Sequence, residues 1–126
     1  MTRDEELKNI KERQFKYITF YKNCIPVLEK INSGIMTFDE KVYNRKFIDF
    51  LINAGSKNIY IDARPGEIML IPGNDRNFKT QILLSNFTYC LPGKRQPRIN
   101  ATRFKKFIAS EITEMKNEIK KIEQRL

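Results

Sequence analysis

The chain has 126 residues, which fits one domain spanning 1–126 and leaves room for a modest hydrophobic core. It carries a net charge of +9 and contains no histidine, which excludes imidazole general bases and the commonest metal ligand. Its two cysteines lie far apart, so a structural zinc site is excluded as well.

The same features predict a compartment. No apolar run is long enough to cross a bilayer, and the first residues are charged, without the apolar stretch of a secretory signal. We therefore predict a cytoplasmic protein with no membrane partner. In that reducing compartment Cys24 and Cys90 are expected to be free thiols, buried as small hydrophobic side chains.

A first helix is predicted to begin at Thr2, because Thr2-Arg3-Asp4-Glu5 has capping-box spacing with acids in the first turn. Pro26 is expected to kink the helix or split it near Asn23, and Ser33-Gly34 to end it. Its apolar side chains recur at alternating spacings of three and four residues, with Gln14 as the one polar member. The apolar members are Leu7, Ile10, Tyr17, Tyr21, Cys24, Leu28 and Ile31.

A second helix is predicted from a similar capping sequence, Thr37-Phe38-Asp39-Glu40, to Gly55. It would carry Val42, Tyr43, Phe47, Phe50 and Leu51. At helical spacing, the aromatic residues of these two helices are expected to lie in the core. They are Tyr17, Tyr21, Tyr43 and Phe47.

The next segments predict a three-stranded antiparallel meander. Residues 58–62 and 67–71 flank Arg64-Pro65-Gly66, and Pro-Gly at the centre of a short connection favours a type II turn. A third strand is expected within residues 80–89, ended by Leu91-Pro92-Gly93.

The last predicted helix starts near Asn100, an acceptable N-cap, and continues to the end of the chain. The fold class is therefore α+β, with two N-terminal helices, a three-stranded antiparallel meander and a long C-terminal amphipathic helix. The narrow apolar stripe of the last helix is expected to pack inside the domain, with a homodimer through the terminal helices as the alternative. Its members are Phe104, Ile108, Ile112, Met115, Ile119, Ile122 and Leu126.

The charge is concentrated in one window. The 35 residues from Arg76 to Ser110 contain eight bases and no acid. Clustered cations are typical of a surface that binds a polyanion, most often nucleic acid. A solvated loop whose charge only aids solubility, or an acidic protein partner, would also fit.

The start of the last helix is the most unusual part of this window. The first two predicted helices begin with acids, whereas this one has Arg103, Lys105 and Lys106 in its first turns, where cations oppose the helix dipole. A phosphate bound by free backbone N–H groups of Ala101, Thr102 and Arg103 would explain the arrangement. Phe107, expected to lie off the apolar stripe and near Arg103, could stack on unpaired bases.

These observations define a candidate nucleic-acid-binding site. Arg98 and Arg103 would hold phosphate beside the helix cap, and Arg76 and Lys79 would extend the positive track from the neighbouring strand. The complete set of candidate residues is Lys94, Arg95, Arg98, Asn100, Thr102, Arg103, Lys106, Phe107, Arg76 and Lys79.

A short motif within this site resembles a known signature. Ile99-Asn100-Ala101-Thr102-Arg103 is similar to the "INAT" signature of KilA-N-type phage DNA-binding domains, where it leads from a strand into a helix. The similarity covers these five residues. It implies DNA binding and a strand-to-helix junction at this point.

Catalysis is not expected. The strongest enzyme hypothesis is a metal-dependent nuclease using Asp62 and Glu67, which could face each other across the hairpin. However, Met69 stands where such sites usually have a lysine. Glycine-rich phosphate loops are absent from the sequence, so neither a cofactor nor a metal is predicted.

The sequence therefore predicts a non-enzymatic protein that binds nucleic acid or a protein–nucleic acid complex, with RNA or single strands favoured over duplex DNA. The alternative from another class is a phage or mobile-element inhibitor. It would block a nucleic-acid-handling effector, such as a CRISPR nuclease, by binding its protein or its guide RNA. The third alternative is a structural dimer with an incidental basic loop.

Overall fold

The computed structural model of the protein describes residues 2–64, 66–73 and 78–126. It confirms the α+β class: two N-terminal helices, a three-stranded antiparallel sheet and a long C-terminal helix. The helices are α1 (Arg3–Gly34), α2 (Arg45–Asn53) and α3 (Ala101–Arg125). The strands are β1 (Ile59–Arg64), β2 (Glu67–Pro72), β3 (Thr80–Leu83), β4 (Thr88–Tyr89) and β5 (Arg98–Ile99).

The two long helices pack against each other in opposite directions. Lys116 of α3 reaches Glu29 at 4.0 Å, and Glu123, further along α3, accepts an ion pair from Lys22 at 3.3 Å. Each step toward the end of α3 therefore moves back along α1. The predicted apolar stripe of α3 is confirmed as part of the core from Phe104 to Ile122.

The predicted stripe of α1 is buried only along its second half. Cys24, Leu28 and Ile31 are fully buried, whereas Leu7 and Ile10 are 49% and 53% exposed. The cause is the end of α3. In both ion pairs the two residue numbers add to the same total, as they do along two antiparallel helices. The same total places the last residues of α3 level with about residue 19 of α1. Residues 3–17 of α1, called the arm below, extend beyond that point.

The predicted split near Asn23 does not occur, because α1 is one helix from Arg3 to Gly34 with Pro26 inside it. Its capping box is confirmed: Glu5 donates its backbone N–H to Thr2 Oγ1, and the Glu5 carboxylate accepts the Thr2 N–H. The predicted end at Gly34 is confirmed as well. An exposed proline is tolerated here because the surrounding turns are held by packing on α3 and the sheet.

The predicted start of the second helix is wrong. Residues 35–38 form a 3₁₀ helix, and Thr37 Oγ1 donates back to the Gly34 carbonyl oxygen at 2.8 Å. Helix α2 begins only at Arg45, with Asn44 as its N-cap accepting from the backbone N–H groups of Lys46 and Phe47. No acid lies in the first turn of α2, so the contrast drawn between α3 and both earlier helices holds only for α1.

The sheet is the predicted three-stranded antiparallel meander, in the order β1-β2-β3. β1 and β2 pair antiparallel from Ile59 with Pro72 to Arg64 with Glu67. Gly66 has φ of +82°, the positive value that a type II turn requires at this position, while Pro65 lies outside the described residues. The third strand lies within the predicted range and ends at Leu83, because residues 84–87 leave the sheet as a 3₁₀ helix.

A second, two-stranded sheet was not predicted. β4 pairs antiparallel with β5, and Val42 forms an isolated bridge to Arg98 on the other side of β5. This small sheet joins the segment after α1 to the segment before α3. It fixes the start of α3 against the end of α1.

Two side-chain predictions are corrected by the burial pattern. Cys24 and Cys90 are both free, but only Cys24 is buried, and its burial raises the thiol pKa to about 12. Of the four aromatic residues predicted to be core, Phe47 is fully buried and Tyr17 is 39% exposed, while Tyr21 and Tyr43 are half-buried. Within the described residues, no helix has the length and apolarity needed to span a membrane.

Candidate nucleic-acid interface

The candidate site is built where three distant segments meet. Backbone hydrogen bonds join residues 40–43 to residues 97–99: Tyr43 N donates to Pro97 O at 2.8 Å, and Glu40 N donates to Ile99 O at 2.9 Å. On the other side, Asn100 N donates to Phe87 O at 2.7 Å. The strand leading into α3 is therefore held on both sides, which gives the basic residues around it a fixed backbone.

The start of α3 already has an anion. Asp39 Oδ1 accepts the backbone N–H of Ala101 at 2.8 Å, and Asp39 Oδ2 accepts the Thr102 hydroxyl at 3.4 Å. The predicted N-cap is confirmed, since Asn100 Oδ1 accepts the Arg103 N–H at 3.1 Å. The expectation that Ala101 and Arg103 present free N–H groups to a phosphate is therefore wrong, because the protein's own side chains occupy them.

Glu40 shows how Asp39 reaches this position. Its φ of +60° is in the left-handed region, which is unusual for a residue with a side chain. The turn at residues 38–41, closed by the Lys41 N–H on the Phe38 carbonyl oxygen, carries Asp39 beside α3. The Glu40 carbonyl oxygen accepts Arg98 Nη1 at 2.9 Å. Arg98 thus supports the fold, and less of its guanidinium is available to an external phosphate than the sequence suggested.

The other cations around the start of α3 are exposed. The basic segment, defined here as residues 94–106, carries six cations, and five of them are exposed, Arg98 being half-buried. The ion pairs formed between described side chains involve none of the six. The six are Lys94, Arg95, Arg98, Arg103, Lys105 and Lys106.

Phe107 does not stand free beside Arg103 as predicted. It is half-buried and packs against Phe87 with ring centroids 5.1 Å apart, while Phe87 also meets Phe104 at 5.1 Å. The ring therefore belongs to the edge of the core, and stacking on an unpaired base is not the role that its contacts suggest.

The structure does not bring all the predicted bases together. Lys79 follows Phe78, which packs on Tyr17 and Phe20 near the middle of α1, with ring centroids 4.7 and 5.6 Å apart. The basic segment instead adjoins the end of α1, at Asn32. Asn32 lies twelve residues after Phe20 along α1, a distance of about 18 Å along the helix axis. Arg76 lies outside the described residues.

One cation near the segment was missed by the sequence reasoning. Lys41 is exposed, and its carbonyl oxygen accepts the Ile99 N–H at 3.0 Å, so it lies beside the strand that precedes α3. No local sequence signal places Lys41 there, since the contact spans more than fifty residues of chain.

A shallow depression of about 360 Å³ lies at one edge of the basic segment. It is lined by the end of α1, the 3₁₀ helix that follows it and the first turns of α3, through Asn32, Met36, Thr102, Lys105, Lys106 and Ala109. The Asn32 side-chain oxygen is buried there without a hydrogen-bond partner. Thr102 and Lys106 from the predicted set therefore share one surface.

The first acid of α3 lies beyond this surface. Partial burial, with the nearby charge of Glu114, raises the pKa of the Glu111 carboxyl above its usual range. A carboxyl with a raised pKa loses its charge at a higher pH than an unperturbed glutamate as the solution is acidified.

The hairpin acids Asp62 and Glu67 do not lie directly opposite each other, as the nuclease hypothesis supposed. Asp62 lies opposite Met69 in the register and pairs with Arg64 at 3.3 Å, and Glu67 accepts a hydrogen bond from Gln81. Nowhere among the described residues do three or more aspartate, glutamate or cysteine side chains come together in a group that could hold a metal ion.

The similarity to the phage DNA-binding signature has one local counterpart, since β5 leads through Asn100 into α3 as the resemblance implies. Comparisons of the whole chain add nothing to it. No protein-family model, no curated protein and no solved structure matches the chain.

Proposed function

We propose that this chain is a non-enzymatic protein that binds nucleic acid, or a protein–nucleic acid complex, through the basic segment. The observation that carries the proposal is the set of exposed cations between Lys94 and Lys106, with no ion-pair partner among the described residues. Cations gathered in this way repel one another, and a polyanion removes that repulsion.

Electrostatics near the segment supports a polyanion even after the protein's own acids are counted. Asp39 and Glu40 lie beside the start of α3, but Asp39 is committed to Ala101 and Thr102. The remaining cations outnumber the two acids, and Lys41 adds another. Because helix α3 begins with these cations, the dipole and the side chains both contribute positive potential at this end of the molecule.

Arginine content favours phosphate as the ligand group. Arg95 and Arg103 are exposed and can offer paired N–H donors to one phosphate, which lysine cannot do. Lys94 and Lys106 would then follow the neighbouring phosphates. RNA and single-stranded DNA are the first probes, since no pair of helices resembling a major-groove reader is present in the described fold.

The test is a titration of labelled RNA, single-stranded DNA and duplex DNA at several salt concentrations. Reversing three exposed charges in Arg95→Glu/Arg103→Glu/Lys106→Glu is expected to weaken binding by at least about tenfold. On duplex DNA it should lower the magnitude of the log–log salt slope by about 3, if each side chain neutralises one phosphate.

A matched control separates location from total charge. Lys57→Glu/Lys120→Glu/Arg125→Glu changes the net charge by the same amount, with exposed side chains that lie away from the basic segment. It is expected to bind nearly as well as the original protein. Equal loss in both variants would show that only net charge matters, and the proposed surface would be wrong.

The inhibitor hypothesis gives a different outcome in the same experiment. The inhibitor hypothesis would be favoured if the original protein bound all free nucleic acids weakly but bound a protein–nucleic acid complex tightly. The variant Arg95→Glu/Arg103→Glu/Lys106→Glu should then lose the tight binding. Binding to neither by the original protein would contradict the proposed function.

A further inference from the structure

We propose that the arm of α1 pairs in antiparallel orientation with the arm of a second copy of this chain, in one register that the charges beside its apolar seam select. The arm was defined above as residues 3–17. It extends about 24 Å past the end of α3, counted from residue 19. This interaction is independent of the proposed nucleic-acid surface, which lies at the other end of α1.

The arm presents an apolar seam that nothing described covers. Leu7 and Ile10 are 49% and 53% exposed, and every residue from Thr2 to Arg13 is exposed. They continue the seven-residue repeat whose later members, Cys24, Leu28 and Ile31, are fully buried. A repeat that keeps its period beyond its intramolecular partner is typical of a helix that meets another helix.

Charges on both sides of the seam are complementary to a second copy. Along the heptad Leu7 occupies position a and Ile10 position d. Glu6 and Arg13 then lie on one side of the seam at g, and Asp4 and Lys11 on the other side at e. In an antiparallel pair, residues on the same side of the seam face each other, so each side carries an acid and a base, seven residues apart.

One register uses all of these charges. When Leu7 of one chain lies level with Ile10 of the second copy, Glu6 faces Arg13 and Asp4 faces Lys11, and the two-fold symmetry repeats both pairs. Four pairs of oppositely charged side chains then flank two apolar layers, each formed by Leu7 of one chain and Ile10 of the other. Each exposed pair is worth little alone, but all four act in the same direction.

The neighbouring register is opposed by the same side chains. When Leu7 lies level with Tyr17 of the second copy, Arg13 of one chain faces Arg13 of the other across the two-fold axis. Lys11 faces Lys11 in the same way. That register would bury more apolar surface, yet it places two like-charged pairs at the centre. Charge therefore selects the shorter overlap, which predicts a weak dimer because so short a seam buries less than about 1,000 Å².

Sedimentation equilibrium of the full chain tests the self-association directly. We expect a reversible monomer–dimer equilibrium with Kd between about 10 µM and about 1 mM. Leu7→Ser should remove it. Phe15→Ser is the matched control, because Phe15 lies on the same arm and is more exposed than Leu7, 56% against 49%, but lies off the seam. It should leave the dimer unchanged.

Charge reversal tests the register. Glu6→Arg and Arg13→Glu should each weaken the dimer by about tenfold, since each places like charges in two symmetric pairs. The double variant Glu6→Arg/Arg13→Glu should restore it. An equimolar mixture of the two single variants should form a heterodimer, because both facing pairs are then of opposite sign.

Helix content measured by circular dichroism separates loss of pairing from loss of the arm itself, and all variants are expected to match the original chain. A chain that stays monomeric at about 1 mM would overturn the proposal. The proposal would also be overturned if Arg13→Glu associated more tightly than the original chain while Glu6→Arg had no effect on association. A mixture of the single variants that forms no heterodimer would also overturn the assigned register.

Discussion

Asp39 is the side chain that most changes the interpretation of the basic segment. Its carboxylate accepts the backbone N–H of Ala101, which is fully buried, and it supplies the negative charge that the first turn of α3 lacks. The unfavourable placement of Arg103 and Lys106 near the helix start is therefore partly offset from within the protein. A free phosphate-binding helix terminus was the expected explanation, and this contact replaces it.

Substitutions at Asp39 can separate its hydrogen bond from its charge. Asp39→Ala leaves the buried Ala101 N–H without an acceptor and should lower the free energy of unfolding by about 2 kcal/mol. Asp39→Asn keeps an acceptor but loses the charge at the helix start, and should cost about 0.5–1 kcal/mol. Chemical denaturation measures both. Asp49→Ala, which removes only an exposed pair with Arg45, should cost less than either.

Sequence reasoning could not find Asp39, for a physical reason. The acidic residue that caps a helix normally lies within the helix's own first turn, where spacing along the chain reveals it. Here the contact spans 62 residues and depends on the unusual backbone of Glu40 at φ of +60°. The N-cap Asn100 was predicted because its contact with Arg103 is local.

The predictions of helices and strands succeeded or failed for the same reason, which is whether the signal is local in the sequence. α1, the β1–β2 hairpin and α3 were predicted because their signals are local: a capping box, a Pro-Gly turn and an apolar stripe. The start of α2 and the β4–β5 pairing were missed because both depend on contacts between distant segments. The Thr37-Phe38-Asp39-Glu40 sequence has capping-box spacing, yet its aspartate caps α3 instead.

The corrected start of α2 makes a direct prediction. Asn44→Ala removes the side chain that accepts the Lys46 and Phe47 N–H groups, and should lower the free energy of unfolding by about 1 kcal/mol. Thr37→Ala is the control, because the sequence alone would make Thr37 the cap. Thr37 bonds only an exposed carbonyl of Gly34, and its loss should cost less than about 0.5 kcal/mol. Equal costs in urea denaturation would contradict the observed helix start.

At the scale of the whole molecule, the two proposed surfaces lie at opposite ends of the α1–α3 pair. The basic segment adjoins Asn32 and Met36, and the arm occupies residues 3–17. In the register proposed for the arms, the two-fold axis passes between residues 8 and 9. Each basic segment then lies about 35–40 Å from the axis along α1, so the two are about 70–80 Å apart in a dimer.

This separation predicts a dependence on nucleic-acid length that neither surface would produce alone. A duplex of about 40 base pairs can span both basic segments, whereas one of about 12 base pairs cannot, because each base pair advances about 3.4 Å. The original chain should bind the longer duplex about tenfold more tightly per site, since the second contact becomes intramolecular. Leu7→Ser should bind both lengths equally, and Phe15→Ser should behave as the original chain. Fluorescence anisotropy on the two duplexes measures this difference. If Leu7→Ser keeps the preference for the long duplex, the arms do not join the two basic segments, whatever each surface binds separately.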